Sequence, residues 1–226
     1  MKEENVVTKV FKSFMSMVVT VFLLASLTVI ASAQTPPGYK HEEKVIKYDC
    51  DATATILSIP ITVPINMSAK IEAYVPEEVL PEVDFTVENA FVTIQIPEDD
   101  VETLKSYLGW TSFKGEASLF EVHADNPNQT VNVANPVIPI PATPVPPTGD
   151  LEFRVPASGG LSVTFIAGSS GDINLSAGNI SAKFEKVSPL LDPGWPVTLQ
   201  VDCEPKAIVD EAPQDLTLVT IPIAEN

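Results

Sequence analysis

Residues 44–51 read KVIKYDCD, and this stretch decides how the chain can fold. Ile46, Tyr48 and Cys50 alternate along it with charged residues. Side chains two residues apart point to the same face of a β-strand. The stretch therefore predicts a strand with one charged face and one apolar face, and the apolar face carries a cysteine.

The same alternation precedes the second cysteine. Residues 196–203 read PVTLQVDC, in which Leu199 and Val201 share the parity of Cys203. The chain contains two cysteines, and an even number in an exported protein indicates disulfide bonding. We predict a bridge between Cys50 and Cys203 that ties an early strand to a late one; two buried free thiols are the alternative. Neither cysteine lies in a C-x-x-C motif or beside a histidine, so metal and redox chemistry are not expected there.

The beginning of the chain has the pattern of an export signal. Lysines within residues 1–13 precede the apolar run FMSMVVTVFLLASLTVI at 14–30, and the small-residue triplet ASA ends at Ala33. This order is typical of a signal peptide over residues 1–33, cleaved before Gln34. A retained membrane anchor is the alternative, but the run is shorter than the roughly 20 apolar residues that span a bilayer. We expect a secreted or cell-envelope protein that leaves the membrane after cleavage.

The rest of the chain predicts an all-β fold. Short runs rich in Val, Ile, Thr and Phe alternate with turn residues, a pattern typical of an immunoglobulin-like antiparallel β-sandwich. The polar segment 34–43 predicts a flexible leader, and 44–223 predicts a single sandwich domain. Apolar residues within the proline-rich segment 135–149 favour packing inside that domain over a linker. Gly178 and Asn179 predict a hairpin turn between two late strands.

One short helix is predicted at about 99–108. Asp99 and Glu102 have the spacing of a capping box, and Gly109 fits a left-handed stop. Val101, Leu104 and Leu108 lie on one face of this helix.

The start of that helix is also a candidate metal site. Four carboxylates lie close together in the sequence, and hard cations such as calcium bind oxygen ligands. The residues are Glu98, Asp99, Asp100 and Glu102. Calcium is therefore the one cofactor that the sequence suggests, although helix capping already explains part of this cluster.

Charge and aromatic residues indicate the class of partner. The formal net charge is −17, which repels nucleic acid and anionic lipid headgroups. A cell-envelope polymer or a protein remains as the partner, and the oligomeric state is not fixed by the sequence. Trp110 and Trp195 are candidates for an exposed carbohydrate-binding platform, with core packing as the alternative for each.

Several short motifs resemble a known family. They are YDC at 48–50, KGEA at 114–117, PVPPTGD at 144–150 and PQDLTL at 213–218, together with the returning Cys203. With these motifs the chain resembles a domain family of unknown function from secreted and surface proteins of Gram-positive bacteria, chiefly actinobacteria. The resemblance spans roughly 44–223 and implies an exported, disulfide-closed β-sandwich. It implies no catalytic residue.

The motifs that support catalysis are weak. The two histidines are His41 and His123, and no G-x-S-x-G or H-E-x-x-H motif accompanies them. We expect a non-enzymatic structural or interaction protein of the cell envelope or extracellular space. The first alternative is a carbohydrate- or calcium-dependent binding module, and the second is a hydrolase that uses paired carboxylates.

Overall fold

The computed structural model describes residues 35–56, 58–187 and 198–225. Strands dominate this part of the chain, in agreement with the all-β prediction. In chain order the elements are β1 (Tyr39–Ile56), β2 (Ile59–Pro76), β3 (Asp84–Ile96), α1 (Glu98–Leu108), β4 (Ser112–Asp125), β5 (Asn128–Asn132), β6 (Ile138–Pro144), β7 (Leu151–Val155), β8 (Leu161–Ile166), β9 (Asp172–Lys186), β10 (Thr198–Pro205), β11 (Ile208–Val209), β12 (Ala212–Pro213) and β13 (Thr217–Pro222).

Eleven of these strands form one hydrogen-bonded sheet. Its main path runs β5-β4-β9-β10-β1-β2-β3-β7, and β13, β6 and β8 pair with β9, β4 and β3 respectively. The strand pairings are antiparallel, and the long strands change partners along their length. One edge of β3, for example, pairs with β7 near its end and with β8 near its start. β11 and β12 form a separate two-stranded ribbon.

The two halves of the sheet face each other, which makes the fold a sandwich. Phe153 on β7 packs edge-on against Phe113 on β4, with ring centroids 5.5 Å apart, and against Phe184 on β9 at 6.1 Å. These ring pairs join strands from opposite ends of the sheet order across a shared apolar interior. Tyr48, Phe165 and Ile46 are among the largest fully buried side chains.

The central pairing of β1 with β10 carries the disulfide. Cys50 and Cys203 are direct partners in the register, with their Cα atoms 4.0 Å apart. Both residues are buried, as are Ile46 and Tyr48 on the same face of β1. The bridge predicted from strand parity is therefore confirmed.

Two local expectations differ from the structure. β1 begins at Tyr39 and pairs with β2 along its whole length, so residues 39–43 are strand where the sequence predicted a flexible leader. The hairpin turn predicted at Gly178 and Asn179 is wrong, because β9 passes through both residues without a turn. Gly178 is instead a point of close approach, because a Cβ atom there would overlap Nε2 of His123.

The proline-rich segment contributes a strand to the sandwich. Its residues 138–144 form β6, which pairs with β4, and Ile138 and Ile140 are buried in the core. This segment belongs to the one compact unit that Thr35–Asn226 form. Among the described residues, no helix has the length and apolarity needed to cross a membrane. The predicted cleavage site at Ala33 and Gln34 lies outside the described residues.

Candidate functional site

Helix α1 is attached to the sandwich at its first turn by a remote carboxylate. Asp150 accepts hydrogen bonds from the backbone N–H of Glu98 at 2.9 Å and from Nε2 of Gln95 at 2.7 Å. Glu98 in turn accepts from the backbone N–H of Gly149 at 2.7 Å. The first N–H groups of a helix have no acceptor within the helix. Asp150, 52 residues further along the chain, is the acceptor for the N–H of Glu98.

The predicted capping box is therefore wrong. The helix begins one residue before Asp99, its N-cap position is Pro97, and no side chain caps it locally. The predicted stop is confirmed, because Gly109 adopts a left-handed conformation with φ of 63°. Its N–H donates to the carbonyl of Lys105 at 2.8 Å.

Two further contacts hold α1 in place. Asp100 accepts from the backbone N–H and the side-chain Nδ2 of Asn66, at 2.9 and 3.1 Å. Lys105 donates through Nζ to the carbonyls of Pro147 at 2.7 Å and Pro146 at 3.3 Å. The helix is thus joined by polar contacts to β2 and to the segment that precedes β7.

The four candidate calcium ligands are not gathered around one point. Glu98 faces Gly149, and Asp100 faces Asn66. Asp99 and Glu102 are exposed. Within residues 35–56, 58–187 and 198–225, no group of three or more His, Cys, Asp or Glu side chains is placed to hold a metal ion. Calcium binding stays a prediction without a preformed set of ligands in this part of the chain.

An apolar cavity of about 90 Å³ lies beneath α1, between the two halves of the sheet. The helix contributes Val101, Leu104 and Leu108 to its wall. Both halves of the sheet contribute the rest, including Phe113 and Phe153. Sequence periodicity identified the apolar face of α1, but it carried no signal that the space below this face is incompletely filled.

Trp110 is part of the cavity wall and not an exposed platform. The residue is only 6% exposed, so its predicted use as a carbohydrate-stacking surface is wrong and its core-packing alternative is confirmed. Its indole Nε1 is buried and has no hydrogen-bond partner, and no other described residue has such an atom. Trp195, the second candidate platform, lies outside the described residues.

The outer face of the sheet carries an acidic groove above the disulfide. The groove has a volume of about 530 Å³, and four carboxylates line it. They form two like-charged pairs in the register of β1 and β10: Asp49 faces Glu204, and Asp51 faces Asp202. Like charges directly opposite each other weaken strand pairing.

Neighbouring polar groups compensate two of these four carboxylates. Lys206 Nζ lies 2.9 Å from Oδ1 of Asp49. Asp202 accepts from the hydroxyl of Ser181 at 2.6 Å and from Nε2 of Gln200 at 3.0 Å. All four carboxylates are exposed, and the other two, Asp51 and Glu204, make no side-chain hydrogen bond or ion pair with a described residue, so a positively charged group can reach them.

His123 and Asp125 are close in sequence but form hydrogen bonds with different residues. Nδ1 of His123 lies 2.8 Å from the hydroxyl of Thr130. Asp125 accepts from the side-chain Nδ2 and the backbone N–H of Asn174, both at 2.8 Å. The side-chain hydrogen bond from Asn174, followed by the backbone one, lowers the pKa of Asp125. Both residues have structural contacts on the surface near β5 and β9.

These features define the class of protein as a disulfide-closed, all-β sandwich with one helix fastened over an apolar cavity. Residues 47–219 match the model of a family described as "Family of unknown function (DUF6801)". The chain belongs to this family, which confirms the resemblance to a domain family of unknown function. Comparison with curated proteins and with solved structures gives no significant match.

Proposed function

We propose that this protein is a non-enzymatic interaction domain that works outside the cytoplasm, in the cell envelope or the extracellular space. The disulfide between Cys50 and Cys203 carries the proposal. It joins two directly paired strands at the centre of the sheet, and such bonds persist in oxidising compartments. The basic and apolar pattern of residues 1–30 supports the same location. A Gram-positive, actinobacterial source is part of this proposal.

The charge of the surface favours a cationic partner, or an anionic envelope polymer that divalent cations bridge. The net charge is −17, and the groove above the disulfide concentrates four carboxylates. A field of this sign raises the local concentration of cations and repels polyanions. All four carboxylates of the groove are exposed, but Asp51 and Glu204 are the two whose side chains make no hydrogen bond or ion pair with another described residue, which makes them the first residues to substitute.

A binding experiment tests the proposal. The protein, recovered from the medium of an expressing host, is mixed with insoluble polysaccharides and with isolated cell walls, in calcium and in a chelator. We expect retention on cell walls. Loss of retention in the chelator supports bridging by calcium, and retention on one purified polysaccharide supports a carbohydrate-binding module. Recovery in the supernatant with every material would contradict an envelope-binding role.

A matched pair of variants locates the contact. Asp51→Asn with Glu204→Gln removes two negative charges from the groove, and Glu77→Gln with Glu78→Gln removes two from an exposed segment elsewhere. We expect the groove variant alone to change retention. An equal change in both variants would show that net charge acts, and not the groove.

A further inference from the structure

The cavity beneath α1 has the features of a binding site and not only those of a packing defect. Protein interiors leave few voids larger than a water molecule. This cavity has a volume of about 90 Å³ and a wall of apolar side chains. Empty cavities with apolar walls stay dry, and one of roughly 150 Å³ takes up benzene or xenon. A smaller aliphatic guest therefore fits this space.

The single polar group that the cavity wall leaves unpaired is the indole N–H of Trp110. The side chain is 6% exposed, and Nε1 has no partner among the described residues. Buried tryptophan N–H groups usually have a hydrogen-bond partner, and an unpaired one in a native structure requires an explanation. A ligand that brings one acceptor atom into the cavity would supply the missing partner.

We propose that this cavity binds a short neutral acyl group, an ester or amide carbonyl with one or two carbon atoms attached, whose oxygen accepts a hydrogen bond from Nε1 of Trp110. The apolar wall packs against the carbon atoms of the acyl group, and its carbonyl oxygen pairs with the one unpaired donor. A free carboxylic acid fits less well, because burial of a carboxylate without a counter-charge is costly. The one ammonium group at the wall, on Lys105, already donates to the carbonyls of Pro146 and Pro147.

Helix α1 is the part of the wall through which the acyl group enters. Its inner face presents Leu104 and Leu108, both partly buried against the core. Val101 is the one residue of this helix that is fully part of the core, and the polar contacts that fasten the helix, such as those of Asp100 and Asp150, are mostly exposed. Elements held by exposed polar contacts open at a lower free energy than strands in the core. Displacement of α1 exposes the cavity while the sheet stays intact.

Proton–nitrogen NMR spectra of the purified protein test this proposal. Trp195→Phe assigns the indole N–H signal of Trp110. The probes are xenon, which fills apolar space without accepting a hydrogen bond, and methyl acetate, which is smaller than benzene and brings a carbonyl. We expect both probes to shift the signals of residues that line the cavity. Only methyl acetate should move the Trp110 indole proton downfield, towards the position of a hydrogen-bonded N–H.

Two variants separate the cavity from the hydrogen bond. Trp110→Phe keeps an aromatic ring and removes the donor, so xenon should still bind while the affinity for methyl acetate falls about 5-fold, the factor expected of one neutral hydrogen bond. Ala182→Leu adds side-chain volume to the cavity wall, so both probes should lose their effect. The wild-type spectra alone remain decisive if either variant fails to fold.

Three results would overturn the proposal. The first is that neither probe shifts the signals of the cavity wall, which means that no accessible cavity exists. The second is that methyl acetate binds but leaves the Trp110 indole proton unmoved. The third is tighter binding of acetate than of methyl acetate at pH 7, which would assign the site to a charged carboxylate.

Discussion

Removal of the disulfide should lower the free energy of unfolding by about 5 kcal/mol, which is the loop-closure value for a bridge of this length. The two cysteines are separated by 153 residues, so the bond restricts most of the unfolded chain. Domains of ordinary stability unfold with about 5–15 kcal/mol. The bond is therefore expected to supply a large share of the total stability.

The choice of substitution decides what is measured. Both sulfurs are buried, and Cys203 lines the cavity, so alanine would add a packing loss to the loss of the cross-link. Valine at both positions fills the space of the sulfurs and isolates the cross-link. Ala52 and Val201 are direct partners in the register next to the bridge. Ala52→Val with Val201→Ala is the matched control, since it conserves volume and should cost less than about 1.5 kcal/mol.

Urea unfolding, followed by the fluorescence of buried Trp110, measures this effect. The Cys50→Val/Cys203→Val protein should unfold at lower urea, and with a steeper dependence on urea, because its unfolded state is less compact and exposes more surface. A loss of less than about 1.5 kcal/mol, with an unchanged urea dependence, would refute the reasoning. It would mean that the unfolded chain is compact without the bond.

Three further perturbations test single contacts. Tyr48→Phe removes the hydrogen bond of 3.2 Å from the buried phenol to the carbonyl of Gly178 and should lower the free energy of urea unfolding by about 1 kcal/mol; a stabilised variant would contradict this. Asp150→Ala removes the acceptor at the first turn of α1, so hydrogen exchange should accelerate in α1 and not in β9; uniform acceleration would show that α1 is no separate unit. The ammonium of Lys44 lowers the pKa of Asp215 from 3.8 to about 2. This carboxylate therefore stabilises the fold above pH 3.8 and ceases to do so as the pH falls towards about 2. The gap in thermal midpoint between wild type and Asp215→Asn should close over that range, and a gap that is constant with pH would refute the assignment.

The sequence predicted those parts of the fold that depend on local pattern. Alternation around Cys50 and Cys203 placed both sulfurs on buried faces, because the two-residue period of a strand is a property of neighbouring residues. The C-terminal stop of α1 at Gly109 was predictable for the same reason. Glycine adopts the left-handed conformation without steric cost, so a glycine that follows a helical pattern indicates where the helix ends.

The parts that the sequence did not predict depend on residues that meet only in the folded state. The start of α1 was placed too late because its acceptor is Asp150, which follows a proline-rich segment and has no sequence relation to the helix. Gly178 was assigned to a turn because glycine is common in turns. Its actual role is to leave room for His123 on the neighbouring strand, and a single sequence does not contain that neighbour.

The position of β1 in the sheet has a consequence for how the chain is assembled in time. β1 and β2 are consecutive strands that pair over 18 residues, so this hairpin can form as soon as residue 76 is available. The other edge of β1 waits for β10, more than 120 residues further along the chain. Until then the edge that carries Cys50 is open, and its backbone groups can pair with another chain. A chaperone bound to this edge during synthesis would protect the protein at the stage when it is most prone to aggregate. The closed Cys50–Cys203 bond marks the end of that stage.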